Sequence, residues 1–161
     1  MTRVRTVAPF LLPGTLGVAL TLSLNPPTPS THLGVGAGCA GGAALGGLLF
    51  LAQQRNPRPP VAPIGLVAVV VLGVLALAEE LLWRRFVLGE CLRLGIPAAI
   101  FLSTVGFAIL HRRPTFHLVT GGIFSVAYVV SGQFIAPVAA HWVYNAAIAT
   151  TVLTARRAKP V

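Results

Sequence analysis

The stretch Val61-Ala-Pro-Ile-Gly-Leu-Val-Ala-Val-Val-Val-Leu-Gly-Val-Leu75 runs directly into Ala76-Leu-Ala-Glu-Glu-Leu-Leu-Trp-Arg-Arg-Phe-Val87. The first part holds no charge, and the second holds Glu79, Glu80, Arg84 and Arg85. The whole chain has only three acidic residues and no Asp, so two of its three carboxylates stand side by side at the end of an apolar run. Ionisable side chains within a bilayer are costly, and face a bundle interior or a water cavity when present. The pair therefore marks where chemistry is to be sought.

The rest of the composition agrees with a membrane setting. The 161 residues are 55% hydrophobic and 9% charged, where a soluble domain has roughly a quarter of its residues charged. Mean hydropathy is +0.84. The net charge of +9 does not indicate nucleic acid. Its basic residues fall in groups between apolar runs (Arg3/Arg5, Arg55/Arg58, Arg112/Arg113, Arg156/Arg157/Lys159) without interleaved aromatics, the pattern of membrane flanks rather than of a nucleic-acid stripe. Cys39 and Cys91 are too few for a disulfide framework. Residues 7–24 are longer than a signal-peptide core and no Ala-x-Ala site follows, so they read as a retained helix.

The fold class expected is an all-α, polytopic transmembrane helical bundle of about six spans, at 7–24, 33–52, 61–88, 96–111, 117–131 and 134–154. Residues 1–60 supply an N-terminal pair of helices, 61–154 a core of four, and 155–161 a basic cytoplasmic tail. The connectors Asn25–His32 and Gln53–Pro60 are rich in proline and hostile to helix. If basic connectors are cytoplasmic, both termini, 53–60 and 112–115 lie inside, and 25–32 and 131–133 outside. The exception is 84–95, which must lie outside yet carries Arg84, Arg85 and Arg93. Extending the third helix to about Gly89, with a turn at Glu90–Gly95, buries Arg84 and leaves Glu79 and His111 only ~7 Å apart in depth on neighbouring antiparallel helices. Gly34, Gly38, Gly42 and Gly46 line one face of the second helix. Small residues so spaced admit close helix approach, within the bundle or between two copies in an oligomer.

Burial limits the chemistry to Glu79, Glu80, Arg84, His111, His141 and His117. Glu80 and Arg84, four apart, share a helix face and can form an ion pair. Glu79 points about 100° away and is the freer carboxylate, suited to act as a base on water. His141 and Asn145, one turn apart, can both donate hydrogen bonds to a developing oxyanion. The same donor types can hold zinc, with Glu79, His111 and His141 as candidate ligands, although no compact zinc motif is present. His117 and His32, near segment ends, read as interfacial residues with no assigned role.

Three motifs occur in order: Glu79-Glu80-Leu-Leu-Trp-Arg84, Phe107-Ala-Ile-Leu-His111 and His141-Trp-Val-Tyr-Asn145. In this the chain resembles the CPBP (Abi) intramembrane proteases, which include the type II CAAX prenyl endopeptidases. The resemblance covers about residues 61–154. It implies a multi-pass enzyme of the cell membrane that hydrolyses a peptide or protein substrate, with a divalent metal such as zinc as the one cofactor left open. In that family pattern Glu79, helped by His111, activates water. His141 and Asn145 line the oxyanion site, and Arg84 anchors Glu80. The chain is short for the family, and Trp83 stands where Phe is common. Its Ala/Gly/Leu/Val/Arg/Pro-rich usage suggests a GC-rich bacterium, where prenylated substrates are not expected. The alternatives are a non-catalytic protein on the same scaffold, such as a bacteriocin-immunity factor, and a proton-coupled transporter using Glu79 as relay. A short helix count without an inverted repeat argues against the transporter.

Overall fold

The computed structural model describes residues 8–53 and 64–157, with side chains over 12–53 and 64–150. The described residues form six helices: α1 (Ala8–Leu24), α2 (Val35–Gln53), α3 (Leu66–Leu94), α4 (Ile96–Ile109), α5 (Pro114–Ser131) and α6 (Ile135–Arg157). α2, α3 and α5 are long and apolar enough to cross a membrane, while α1 and α4 are shorter apolar helices. Val67, Val70, Val74 and Leu77 project outward along α3. An apolar face this long is a surface for lipid rather than water. The basic connector at 53–60, and the charged residues of both termini, lie largely outside the described residues.

α3 departs from the expected end near Gly89. It remains helical to Leu94, passing from α-helix (Leu66–Glu80) into π-helix (Leu81–Leu88) and finishing in a 3₁₀ turn at Leu92–Leu94. The chain reverses at Gly95 alone, whose φ of 96° is accessible to glycine and strained for other residues. Pro97, in the first turn of α4, fits where backbone donors have no helical partner. Glu79 and His111 each lie sixteen residues from this pivot, one on either side. The tighter turn therefore removes the depth offset expected from a turn spread over 90–95. His111 itself falls in the turn after α4 rather than within the helix.

One end of the bundle gathers the connector before α2, the Gly95 turn and the α5–α6 turn. Leu33 donates its N–H to the Ser131 carbonyl (2.8 Å), and the Gln133 side chain bonds the Leu33 carbonyl. Gly132 caps α5 in the left-handed region (φ 63°), its N–H bonded to Tyr128 O. The three arginines that violated the charge pattern are each engaged. Arg84 pairs with Glu80, Arg85 donates to the Pro26 carbonyl (2.8 Å), and Arg93 pairs with Glu90 (3.2 Å).

α1 packs along α3, and α2 along α6. The glycine face of α2 is consumed by the second contact. An added Cβ at Gly42 or Gly46 would collide with the carbonyls of Ala136 or Ala140, and one at Gly38 would meet the Gln133 side chain. Those three glycines therefore serve packing within the bundle, which closes the face to an oligomer contact, while Gly34 precedes the helix and faces open space. Gly46→Ala should lower stability by about 1–3 kcal/mol through overpacking. Gly47→Ala, with nothing within 4 Å, should be neutral or stabilising by up to ~1 kcal/mol. Thermal unfolding of the two variants in detergent checks the contrast.

Candidate active site

The end of the α-helical part of α3 places the two glutamates on different sides. Glu80 points inward and is fully buried. Its Oε2 lies 3.1 Å from Arg84 Nε, an ion pair held by proximity, since neither atom has an aligned hydrogen bond. Arg84 Nη2 donates to the Gly121 carbonyl (2.9 Å). The guanidinium lies 4.6 Å from the Phe107 ring centroid and 5.7 Å from that of Phe124, within cation–π range. Glu80 Oε1 accepts from His141 Nδ1 at 2.8 Å. This buried Glu80–His141 bond spans 61 positions of sequence; the sequence alone places His141 with Asn145 at an oxyanion site or with Glu79 and His111 on a metal, not with Glu80. Phe124 stacks on the His141 ring at 5.1 Å and 25°.

Glu79 is the freer carboxylate, as its position on the helix implied. Its side chain is 27% exposed, and Oε2 stands 3.7 Å from His111 Nε2. His111 Nδ1 donates to the Phe107 carbonyl (2.7 Å), which leaves Nε2 of the neutral ring as an acceptor facing the carboxylate. Two acceptors across a gap too long for a direct hydrogen bond are joined by a shared proton or by one water. That arrangement suits a base that takes a proton from water.

The motif phenylalanine connects the two pairs. Phe107 is fully buried, with its centroid 4.4 Å from that of His111 and 6.2 Å from that of His141. Trp83, on the π-helical segment, packs edge-on to Phe107 at 6.3 Å and lies over Gly106, where a Cβ would strike its ring. Ser103 donates to the Trp83 carbonyl (2.7 Å), satisfying a group in the altered helix. Asn145 is half-buried one turn beyond His141. It shares that face of α6 but makes no hydrogen bond to the glutamates or histidines among the described residues.

A family model, Type II CAAX prenyl endopeptidase Rce1-like, matches residues 60–147. The chain belongs to this family. The match begins ahead of α3 and ends within α6, so it encloses all three motifs and both glutamate–histidine pairs. No curated protein and no solved structure matches the chain.

No three His, Cys, Asp or Glu side chains are grouped to hold an ion among the described residues. Nδ1 of each histidine is engaged, on Phe107 O or on Glu80, which leaves Nε2 of each ring as the nitrogen that could meet a ligand. Glu79 and His111 face each other, while His141 sits on the other carboxylate. Glu79, His111 and His141, the candidate ligands, are not grouped as a three-ligand set among the described residues.

Sequence reasoning left one residue of this cluster without a role. His117, on the first turn of α5, lies with its ring 4.0 Å from that of His111. The signal was hidden because Arg112-Arg113-Pro114 separates the two, and no i,i+4 rule crosses such a break.

Proposed function

We propose that the chain is an intramembrane endopeptidase in which Glu79, with His111, activates water. The supporting observation is the partly exposed Glu79–His111 pair at 3.7 Å beside a second carboxylate engaged by Arg84 and His141. Glu79 takes a proton from water, and the hydroxide attacks the substrate's peptide carbonyl. The carbonyl oxygen becomes an oxyanion. In this role His141 is an imidazolium, its Nδ1–H on Glu80 and its Nε2–H donated to that oxygen, and Asn145 offers its amide from the same face of α6. The C–N bond then breaks, and the proton held by Glu79 and His111 passes to the leaving amine. Purified protein in detergent, offered membrane-anchored peptides, should release new termini detectable by mass spectrometry. Folded protein that yields no products, or equal cleavage by Glu79→Gln, would overturn the reading.

The six helices are read as six crossings, with both termini cytoplasmic. What supports this is the gathering of 25–34, Gly95 and 131–134 at one end, with exposed Arg112 and Arg113 at the other. The Glu79–His111 pair then lies near the cytoplasmic face. A reporter fused after Val161 should give a cytoplasmic signal and one inserted at Pro27 an exterior one. A cytoplasmic signal at Pro27 would refute the arrangement.

A further inference from the structure

We propose that His117 is a positioning residue for the Glu79–His111 pair, acting through the flat face of its ring. The inference rests on the hydrolytic reading above. The His111 imidazole must aim Nε2 at Glu79 while its Nδ1–H stays on the Phe107 carbonyl. A hydrogen bond at one nitrogen fixes the tautomer but leaves the ring free to rock about that bond. Two neighbouring rings remove the freedom. Phe107 lies 4.4 Å away at 44°, and His117 lies 4.0 Å away at 31°. The Phe107 and His117 centroids are themselves 5.5 Å apart, with their planes nearly perpendicular. The three rings therefore form a closed triangle rather than a stack.

His117 is itself held from several sides. Its backbone N–H bonds the Arg113 carbonyl (3.1 Å) in the first turn of α5. Phe116 packs edge-on at 5.3 Å and also reaches Tyr144 of α6 at 6.1 Å. Neither ring nitrogen of His117 has a hydrogen-bond partner among the described residues. Its fixed contribution at this place is thus the ring face, and contact through that face transmits the docking of α5 to the imidazole at Glu79. A misplacement of about 1 Å at a reacting group can cost ~10²-fold in rate, so loss of this wall should act on turnover rather than on substrate binding.

The test compares His117→Leu, His117→Ala and His117→Phe in full-length protein purified in detergent. Leucine and alanine at 117 should lower kcat by about 10- to 10²-fold with KM unchanged, and phenylalanine should recover most of the loss. Leucine keeps the bulk without the flat face, so the contrast survives if the alanine variant fails to fold. Independently of cleavage, the His111 ring signal of histidine-labelled protein, identified by its loss in His111→Phe, should move in the leucine variant. Wild-type kcat together with an unmoved His111 signal in His117→Leu would overturn the proposal, as would a phenylalanine variant as inactive as leucine. If Glu79→Gln still cleaves, the hydrolytic reading fails instead, and the histidine spectra alone decide whether the ring contact holds His111.

Discussion

Glu79→Gln is expected to reduce cleavage by about 10²–10⁴-fold while the purified protein stays folded. The amide keeps the shape of the carboxylate and its partial exposure but cannot accept a proton from water. Glu79 does not hold the fold in the way that Glu80 serves Arg84 and His141, since its closest polar approach among the described residues is the 3.7 Å separation from His111. Glu80→Gln should behave differently. It weakens two buried contacts at once and should reduce folded protein before any effect on chemistry can be read. Turnover per folded molecule, measured beside the unfolding profile, separates the two glutamates. If Glu79→Gln loses assembly while Glu80→Gln remains folded and inactive, the roles are reversed.

Much of this site was legible because helix geometry projects it from the sequence. The apolar runs located five of the helices to within about three residues, while the third, expected at 61–88, runs from Leu66 to Leu94. The four-residue spacing of Glu80 and Arg84 implied their ion pair, and the antiparallel relation of the third and fourth helices implied that Glu79 meets His111. What was hidden depends on contacts that no local period encodes. The Glu80–His141 bond joins α3 to α6 through the way the helices close around Phe107 and Phe124. Nor does a local period encode the π-helical segment Leu81–Leu88, where Trp83 fills the space over Gly106 and its carbonyl accepts from Ser103. The glycine stripe illustrates a third limit. Spacing shows that a partner approaches closely, yet only the fold reveals that the partner is α6 rather than a second copy.

Arg84→Ala is expected to destabilise the protein by about 3–5 kcal/mol, the range for removing one partner of a buried ion pair. Both side chains are wholly buried, so water cannot take over the role of the guanidinium. The change would leave the Glu80 carboxylate with His141 alone, remove the bond from Arg84 Nη2 to the Gly121 carbonyl, and open a cavity beneath Phe107. Arg84→Lys should recover only part of the loss, since an ammonium lacks the planar group that lies over Phe107 while also reaching Gly121. The decisive comparison is the double variant Glu80→Gln/Arg84→Met. Removing both charges avoids the stranded carboxylate, so stability should return towards wild type even though His141 loses its ionic partner. Activity should not return with it, because His141 would then lack the carboxylate that holds its Nδ1. Denaturant unfolding in mixed micelles, with cleavage measured on the same samples, checks both halves. A loss below about 1 kcal/mol in Arg84→Ala would mean that the buried pair is incidental to the fold. Full activity in the double variant would remove Glu80 from any part in orienting His141.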